Sequence, residues 1–378
     1  MIKNIITIIG LLLTSFFVSL ETTHSQRFNT DHYEVVLETV CSKLEYPWSF
    51  GFLPDGRMLI TERSGKLKIV SETGEPQLVA GVPLVWAVGQ GGLLDVKVSP
   101  HFNKDHIIFL TYSQPSKDGQ RAGTALAMGY LNFAERPILR GVRVLFSQKN
   151  KTSDPRHFGS RIVIAPDGKL FFSIGDRGDA QRAQNAFDYA GSIIRLNFDG
   201  SIPKNNPFVS NTHANPEIWS LGHRNIQGAT WNHFNNTLWT VEHGPRGGDE
   251  INIPHAGKNY GWPIISYGKH YSGAKVGEGT HKAGYEQPLY YWDPSIAPSG
   301  LLHYRGKAFP AWRKNLFVGA LKSQFLGRLE LKNGRVIAEE RLFVNEFGRI
   351  RDVREGPNGH IYFLTDGTDG KLIRISPK

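Results

Sequence analysis

The chain has 378 residues, enough for one large domain or two ordinary ones, with 41 glycines, 21 prolines and few amphipathic helix patterns. Cys41 is its only cysteine, which excludes an internal disulfide. The 44 basic and 34 acidic residues leave a net charge of +10, but the Lys and Arg are dispersed rather than striped. That dispersal argues against nucleic acid, and an anionic cofactor or a negatively charged cell surface explains the basic balance as well.

Residues 1–24 begin with Lys3 and continue into an apolar run over 5–18. This is the pattern of a secretory signal peptide. The run falls short of the roughly 20 residues a spanning helix needs. A periplasmic or secreted protein is therefore expected, with no membrane anchor once the signal is removed. Residues 25–378 show no low-complexity linker and read as one domain.

The apolar runs are short and β-rich, as in Leu67-Lys-Ile-Val70, Leu238-Trp-Thr-Val241 and Ile361-Tyr-Phe-Leu364, so the fold class is all-β. A loose repeat places a tight turn between two alternating strands. It occurs at 51–60, 162–172, 229–239 and 353–363, with turns such as Pro54-Asp-Gly56 and Pro166-Asp-Gly168. Several such hairpins stacked radially make a β-propeller. Residues 33–40 are expected to pair near the last strand, 371–375, and close the ring.

Gly89-Gln-Gly-Gly-Leu-Leu94 has glycines without dinucleotide-loop spacing, and neither His-Glu-x-x-His nor Gly-x-Ser-x-Gly occurs. His157 stands just before the hairpin 161–174, and Asp176 just after it. The two ends of a hairpin meet at one sheet edge. A histidine base with a carboxylate to orient it would sit there on a rigid scaffold. A loop histidine bonded to backbone fits the same pattern.

Arg224, Asn225 and Gln227 lie in the glycine-bounded loop 222–228, where planar hydrogen-bonding groups suit a carboxylate or carbonyl, or simply brace the loop. The loop 241–252 offers carbonyls and the carboxylates of Asp249 and Glu250, the oxygen ligands calcium prefers; a solvated acidic turn is the alternative. Adjacent in an extended chain, Asp249 and Glu250 point opposite ways. Lys322 follows an apolar strand. Arg349 and Arg351, at period two, share one strand face and invite an anion or surface salt bridges.

In this shared order the segments resemble the soluble quinoprotein aldose/glucose dehydrogenases of the sorbosone type, from about Pro47 to the C-terminus. The segments that carry the likeness are Gly89–Leu94, His157-Phe-Gly-Ser-Arg161, Ile174-Gly-Asp176, Leu221–Gly228, Glu242-His-Gly-Pro245, Asp249-Glu-Ile-Asn252, Asn259-Tyr-Gly-Trp-Pro263, Ile296-Ala-Pro-Ser299, Lys322 and Arg349-Ile-Arg-Asp-Val353. The resemblance implies a six-bladed β-propeller holding pyrroloquinoline quinone (PQQ) and calcium near its axis. It implies oxidation of the anomeric C1 hydroxyl of an aldose sugar to a lactone, by hydride transfer to the quinone.

Residue by residue, the resemblance makes His157 the general base, with Gln90, Asp176 and Gln181 lining the sugar or quinone site. Arg224 and Asn225 would contact the quinone carbonyls, Arg224 also polarising them. Lys322, Arg349 and Arg351 would hold the carboxylates. The backbone carbonyls of Gly244 and Pro245 would hold a calcium ion against the cofactor, and Glu250 and Tyr260 match structural calcium positions. Arg156 departs from the glucose-oxidising branch, which has an acidic residue there. A one-residue shift around Trp292 leaves that residue outside the substrate set. The shorter chain is nearer the aldose type, with its broad sugar range. The electron acceptor is not specified, and a monomer or homodimer is expected. The rival readings are a calcium-dependent propeller lactonase, which needs carboxylates around an axial metal, and a non-catalytic propeller that binds a glycan or a protein.

Overall fold

The computed structural model describes residues 25–71, 76–133 and 135–378. The signal-peptide expectation at 1–24 lies outside them. The regular elements of the described chain are nearly all strands, gathered into six sheets. Five have four antiparallel strands. The sixth has five, in the order Gln26–Asn29, Glu34–Leu44, Gly370–Pro377, Ile361–Thr365 and Ile350–Glu355. Val35 pairs with Pro377 and Leu37 with Ile375, so the strand at the start of the described chain closes the last blade, as expected.

The innermost strands are Pro47–Phe52, Leu93–Val98, Ile162–Ile164, Ile226–Asn232, Pro298–His303 and Ile350–Glu355. Each packs beside the next and the last beside the first, giving a closed six-bladed propeller. The four turn repeats read in the sequence are the inner hairpins of four blades.

The core is divided among the blade interfaces. Leu59, Leu67 and Ile69 pack on Val96 and Leu110, and Phe109 and Phe146 on Phe172 and Ile194. Around the ring, Val163 and Phe171 meet Ile226 and Leu238, Val241 and Trp292 meet Leu301 and Val318, and Phe317 and Trp312 meet Phe363 and Ile373. Leu364 and Leu372 then meet Phe50 and Ile60. A twisted sheet leaves both faces apolar, and each face finds cover only on the neighbouring blade. Each fully buried Leu, Ile or Phe in such a layer is worth about 1.5–3 kcal/mol.

The inner strands all run the same way along the axis, so their first residues ring one end of the central channel and their last residues ring the other. Between them Arg161 lies 3.3 Å from Asp95 and 3.0 Å from Asp352. Arg354 lies 2.6 Å from Asp95 and 2.9 Å from Asp352. Two guanidiniums and two carboxylates thus close the middle of the channel at zero net charge.

Candidate active site

At the first end, the hairpin does what its sequence predicts. Nδ1 of His157 lies 2.6 Å from Oδ1 of Asp176. A Cβ on Gly175 would run into the His157 carbonyl, so glycine is what lets the two hairpin ends close. His157 adopts φ +55°, a conformation costly for a residue with a Cβ and held by its surroundings. Its N–H donates to Oε1 of Gln90 at 2.8 Å, and the Gln90 N–H donates to the Pro155 carbonyl at 2.8 Å. The other oxygen of Asp176 accepts from Trp262 Nε1 at 2.9 Å, and the Gly178 N–H donates to Oδ1 at 2.9 Å.

Burial holds the His157 imidazole below its usual value, partly offset by the bond to Asp176. Burial opposes the Asp176 charge too, but the bond from His157, the nearby charges of His157 and Arg224, and the Gly178 N–H outweigh it and keep the carboxyl below its usual range. The pair at neutral pH is a neutral imidazole and a carboxylate. An ionised Asp176 only accepts, so the proton sits on Nδ1 and the Nε2 lone pair is left for chemistry.

Beside this pair lies a cavity of about 300 Å³ whose lining includes Gln90, Gln227, His243, Arg349, Arg351 and Asp366. Arg349 Nε and Arg351 Nη2 both reach Oδ2 of Asp366, at 3.2 and 2.9 Å, so the two arginines share a face as predicted. Arg63 also lines the cavity, donating to the Gly89 carbonyl. The cavity lining therefore holds three guanidiniums and one carboxylate. Arg351 Nε and the second oxygen of Asp366 are buried without a partner among the described residues. Buried polar atoms are normally paired, so hydrogen-bonding capacity is left over here.

Arg224 is tied down by its own backbone, whose N–H donates to Glu242 Oε2 at 2.6 Å. Its guanidinium lies over the Trp262 ring at 5.3 Å and donates to the His243 carbonyl at 3.3 Å, with Nε buried and unpartnered. Asn225 Oδ1 accepts from Gly159 N at 3.1 Å and from Gln227 Nε2 at 3.3 Å, joining this loop to the His157 loop. His243 lies 2.7 Å from the Pro298 carbonyl through Nε2. Burial, then the Arg224 charge, pushes it down to about 3, so it is neutral.

Behind Arg224 a small cleft gathers Glu242, Gly244, Glu250 and Tyr260. Asp249 and Glu250 do diverge. Asp249 accepts from Gly244 N at 2.8 Å and from Ser295 Oγ at 2.7 Å, fixing the turn that presents Gly244 and Pro245. Glu250 turns to Asn252, whose amide also donates to Glu242, at 3.2 and 3.0 Å. Burial, then the Glu242 charge, pushes Glu250 up to about 8. The carbonyl oxygen of Asn252 is buried without a partner among the described residues. Two repelling carboxylates beside an orphaned amide oxygen fit a hard cation. The Tyr260 hydroxyl is committed, donating to the Ile253 carbonyl at 2.6 Å, so only its backbone oxygen is left for such an ion.

Two expected residues stand apart. Gln181 is exposed on the short turn Ala180–Gln184, and Lys322 is exposed just past the cavity residue Leu321; neither lines the cavity. Sequence reasoning missed Arg63, Glu242, His243, Trp262 and Asp366 as site residues. His243 and Trp262 stand inside segments that looked informative. Asp366 carried only the weak signal of a carboxylate following a strand.

A six-bladed propeller with a cationic cavity beside a buried His–Asp pair is the frame of an enzyme site. The chain belongs to the glucose/sorbosone dehydrogenase family, whose model matches residues 44–374. It is similar to the aldose sugar dehydrogenase YliI of Escherichia coli, 44% identical over 91% of this chain and 93% of the relative. It is also similar to quinoprotein glucose dehydrogenase B of Acinetobacter calcoaceticus, 27% identical over 97% of this chain and 93% of that one. The crystal structure of the soluble aldose sugar dehydrogenase from Escherichia coli, in its apo-form, superposes with a TM-score of 0.87 at 43% identity, over 91% of this chain and 100% of its own. The PQQ-bound form of the aldose sugar dehydrogenase from Streptomyces coelicolor superposes at 0.77, with 25% identity, over 91% and 98%.

Proposed function

We propose that the chain is an exported quinoprotein that oxidises the C1 hydroxyl of aldose sugars to lactones, with PQQ and calcium. The observation that carries this reading is the cavity beside His157, where Arg349 and Arg351 share Asp366, Arg63 adds a third guanidinium to the lining, and Arg351 Nε is orphaned. A planar tricarboxylate suits such a surplus of forked cations. Arg349 and Arg351 would hold its carboxylates, with Lys322 reaching in from the rim. Arg224 and Asn225 would face its carbonyl edge, and the carbonyls of Gly244 and Pro245 would hold calcium there. Glu250, with the Tyr260 backbone oxygen, would hold a second calcium. The Streptomyces relative's PQQ-bound form supports the cofactor.

Bound there, the quinone would supply a hydride acceptor for the C1 hydrogen and calcium would polarise its carbonyl. His157 supplies the base. Its Nε2 takes the C1 hydroxyl proton as the C1–H bond gives up its electron pair and the C1–O double bond forms. Asp176, held by Trp262 and Gly178, keeps the imidazole in the required tautomer and stabilises the imidazolium that results. Gln90 fixes the His157 backbone and lines the site, where it would orient the sugar.

The lactonase reading needs free carboxylates at the axis. Asp95 and Asp352 are instead neutralised by Arg161 and Arg354, and the described residues hold no group of three His, Cys, Asp or Glu side chains placed for a metal. Export rests on residues 1–24, and the mass of the chain recovered from its source checks it. The activity is tested by adding PQQ and calcium to purified apo-protein and following dye reduction with a panel of aldoses. Reduction with aldoses is expected. No reduction together with no cofactor uptake overturns the reading.

A further inference from the structure

The other end of the channel has a cavity of its own, about 450 Å³, ringed by the last residues of the inner strands. Phe52, Lys97, Trp231, His303 and Glu355 stand there, opposite Trp48, Leu94, Gln227 and Arg351 of the first end. Arg161, which stacks over Trp48 at 4.3 Å, separates the two.

The charges of this second cavity do not balance. Arg161 and Arg354 are matched by Asp95 and Asp352. Glu355 is taken by the Arg305 and Gly306 N–H groups, at 2.9 and 3.1 Å, with the Arg305 guanidinium 4.0 Å away. Half-buried Lys97 makes no hydrogen bond or ion pair with any described residue, although it lines the cavity. A lysine removed from bulk water normally has a partner. The imidazoles of His233 and His303 line the same cavity, and His303 is buried.

The electrostatics agree. Burial, then Arg354, pulls Lys97 down to about 8, outweighing the pull of Asp95 and Asp352. Burial, then Arg305 and Lys97, lowers His233. Burial, then His233 and Lys314, brings His303 down to about 4. Positive neighbours thus press on both imidazoles, while Lys97 keeps most of its charge at neutral pH.

We infer that the end of the channel remote from His157 binds a small oxyanion, through a carboxylate or phosphate group, held by Lys97 with His233 and His303 as neutral donors. A lysine and two histidines lining one cavity, with His233 at its exposed rim, supply the ammonium and imidazole N–H donors such a group takes. The site is separate from the proposed cofactor site and does not depend on it.

Isothermal titration of purified chain, without added quinone, with inorganic phosphate and separately with gluconate tests this. At least one probe is expected to bind below about 10 mM. Binding should weaken at least about tenfold in Lys97→Met and persist in Arg351→Gln. Phosphate alone binding identifies an inorganic ligand, and gluconate binding a carboxylate; either supports the site. In the unsubstituted chain, reductive ¹³C-methylation reads the Lys97 titration directly, and the bound probe should move its midpoint up. No binding by either probe, binding undiminished in Lys97→Met, binding lost only in Arg351→Gln, or an unmoved Lys97 midpoint overturns the inference.

Discussion

The middle of the central channel and its His157 end are both rich in arginine, yet they are built on opposite principles. In the middle, Arg161 and Arg354 meet Asp95 and Asp352 one for one, and Ser49 Oγ donates to Asp95 at 2.5 Å. At the His157 end, Arg349 and Arg351 share Asp366, and Arg63 lines the same cavity as a third guanidinium, so cations outnumber carboxylates. A charge buried with its match holds blades together. A charge left in surplus within a shaped cavity is held ready for a ligand, because the fold alone would not sustain it. Arginine by itself indicates neither; the local balance does.

Substitutions at the two places should therefore fail in different ways. His157→Ala should lower turnover by about 10²–10⁴-fold, the range of a lost general base, while cofactor uptake and melting temperature stay near those of the parent chain. Steady-state dye reduction beside a binding titration measures both, and unaltered turnover would show the base is misassigned. Arg161→Met should leave Asp95 and Asp352 underpaired and cost about 3–5 kcal/mol of stability, read by denaturant melts. A melt like the parent's would mean the axial ring is not what fastens the inner strands.

The Glu242–Glu250 cleft lies between these extremes, since its charges are like rather than opposite. Glu250 is raised from an ordinary 4.5 to about 8 in the folded chain. The unfolded chain therefore loses that proton first as pH rises, and calcium-free protein should lose stability between about pH 4.5 and 8. Calcium should flatten this slope, and Glu250→Gln should remove it. Melting temperatures across that range, with and without the ion, measure the effect. A slope unaffected by both calcium and the substitution would place the cause elsewhere.

The same contrast governs what the sequence made visible. The hairpin holding His157 and Asp176 is local, 19 positions end to end, and its Pro-Asp-Gly turn announces it. Arg349 and Arg351 were legible through strand period alone, even though the pairing slips between Ile350 and Asp352. Two blades escaped the repeat. Leu93–Val98 reaches Ile107–Pro115 through a short helix, and Pro298–His303 reaches Leu316–Ala320 through a longer loop. Neither connection carries the turn signature. Trp262 meets Asp176 from 86 positions away, and no spacing rule spans that distance. The zero balance of the axial ring was hidden for the same reason: its four charged residues come from three blades.

The account stands or falls on whether the unmatched cations of the His157 end hold a tricarboxylate. Equilibrium titration of PQQ with calcium into the parent chain and into Arg351→Gln and Arg349→Gln is the direct measurement. One molecule should bind per chain. Each substitution should weaken it by about 1.5–3 kcal/mol, roughly ten- to a hundred-and-fiftyfold. Equal affinity in all three chains would contradict it.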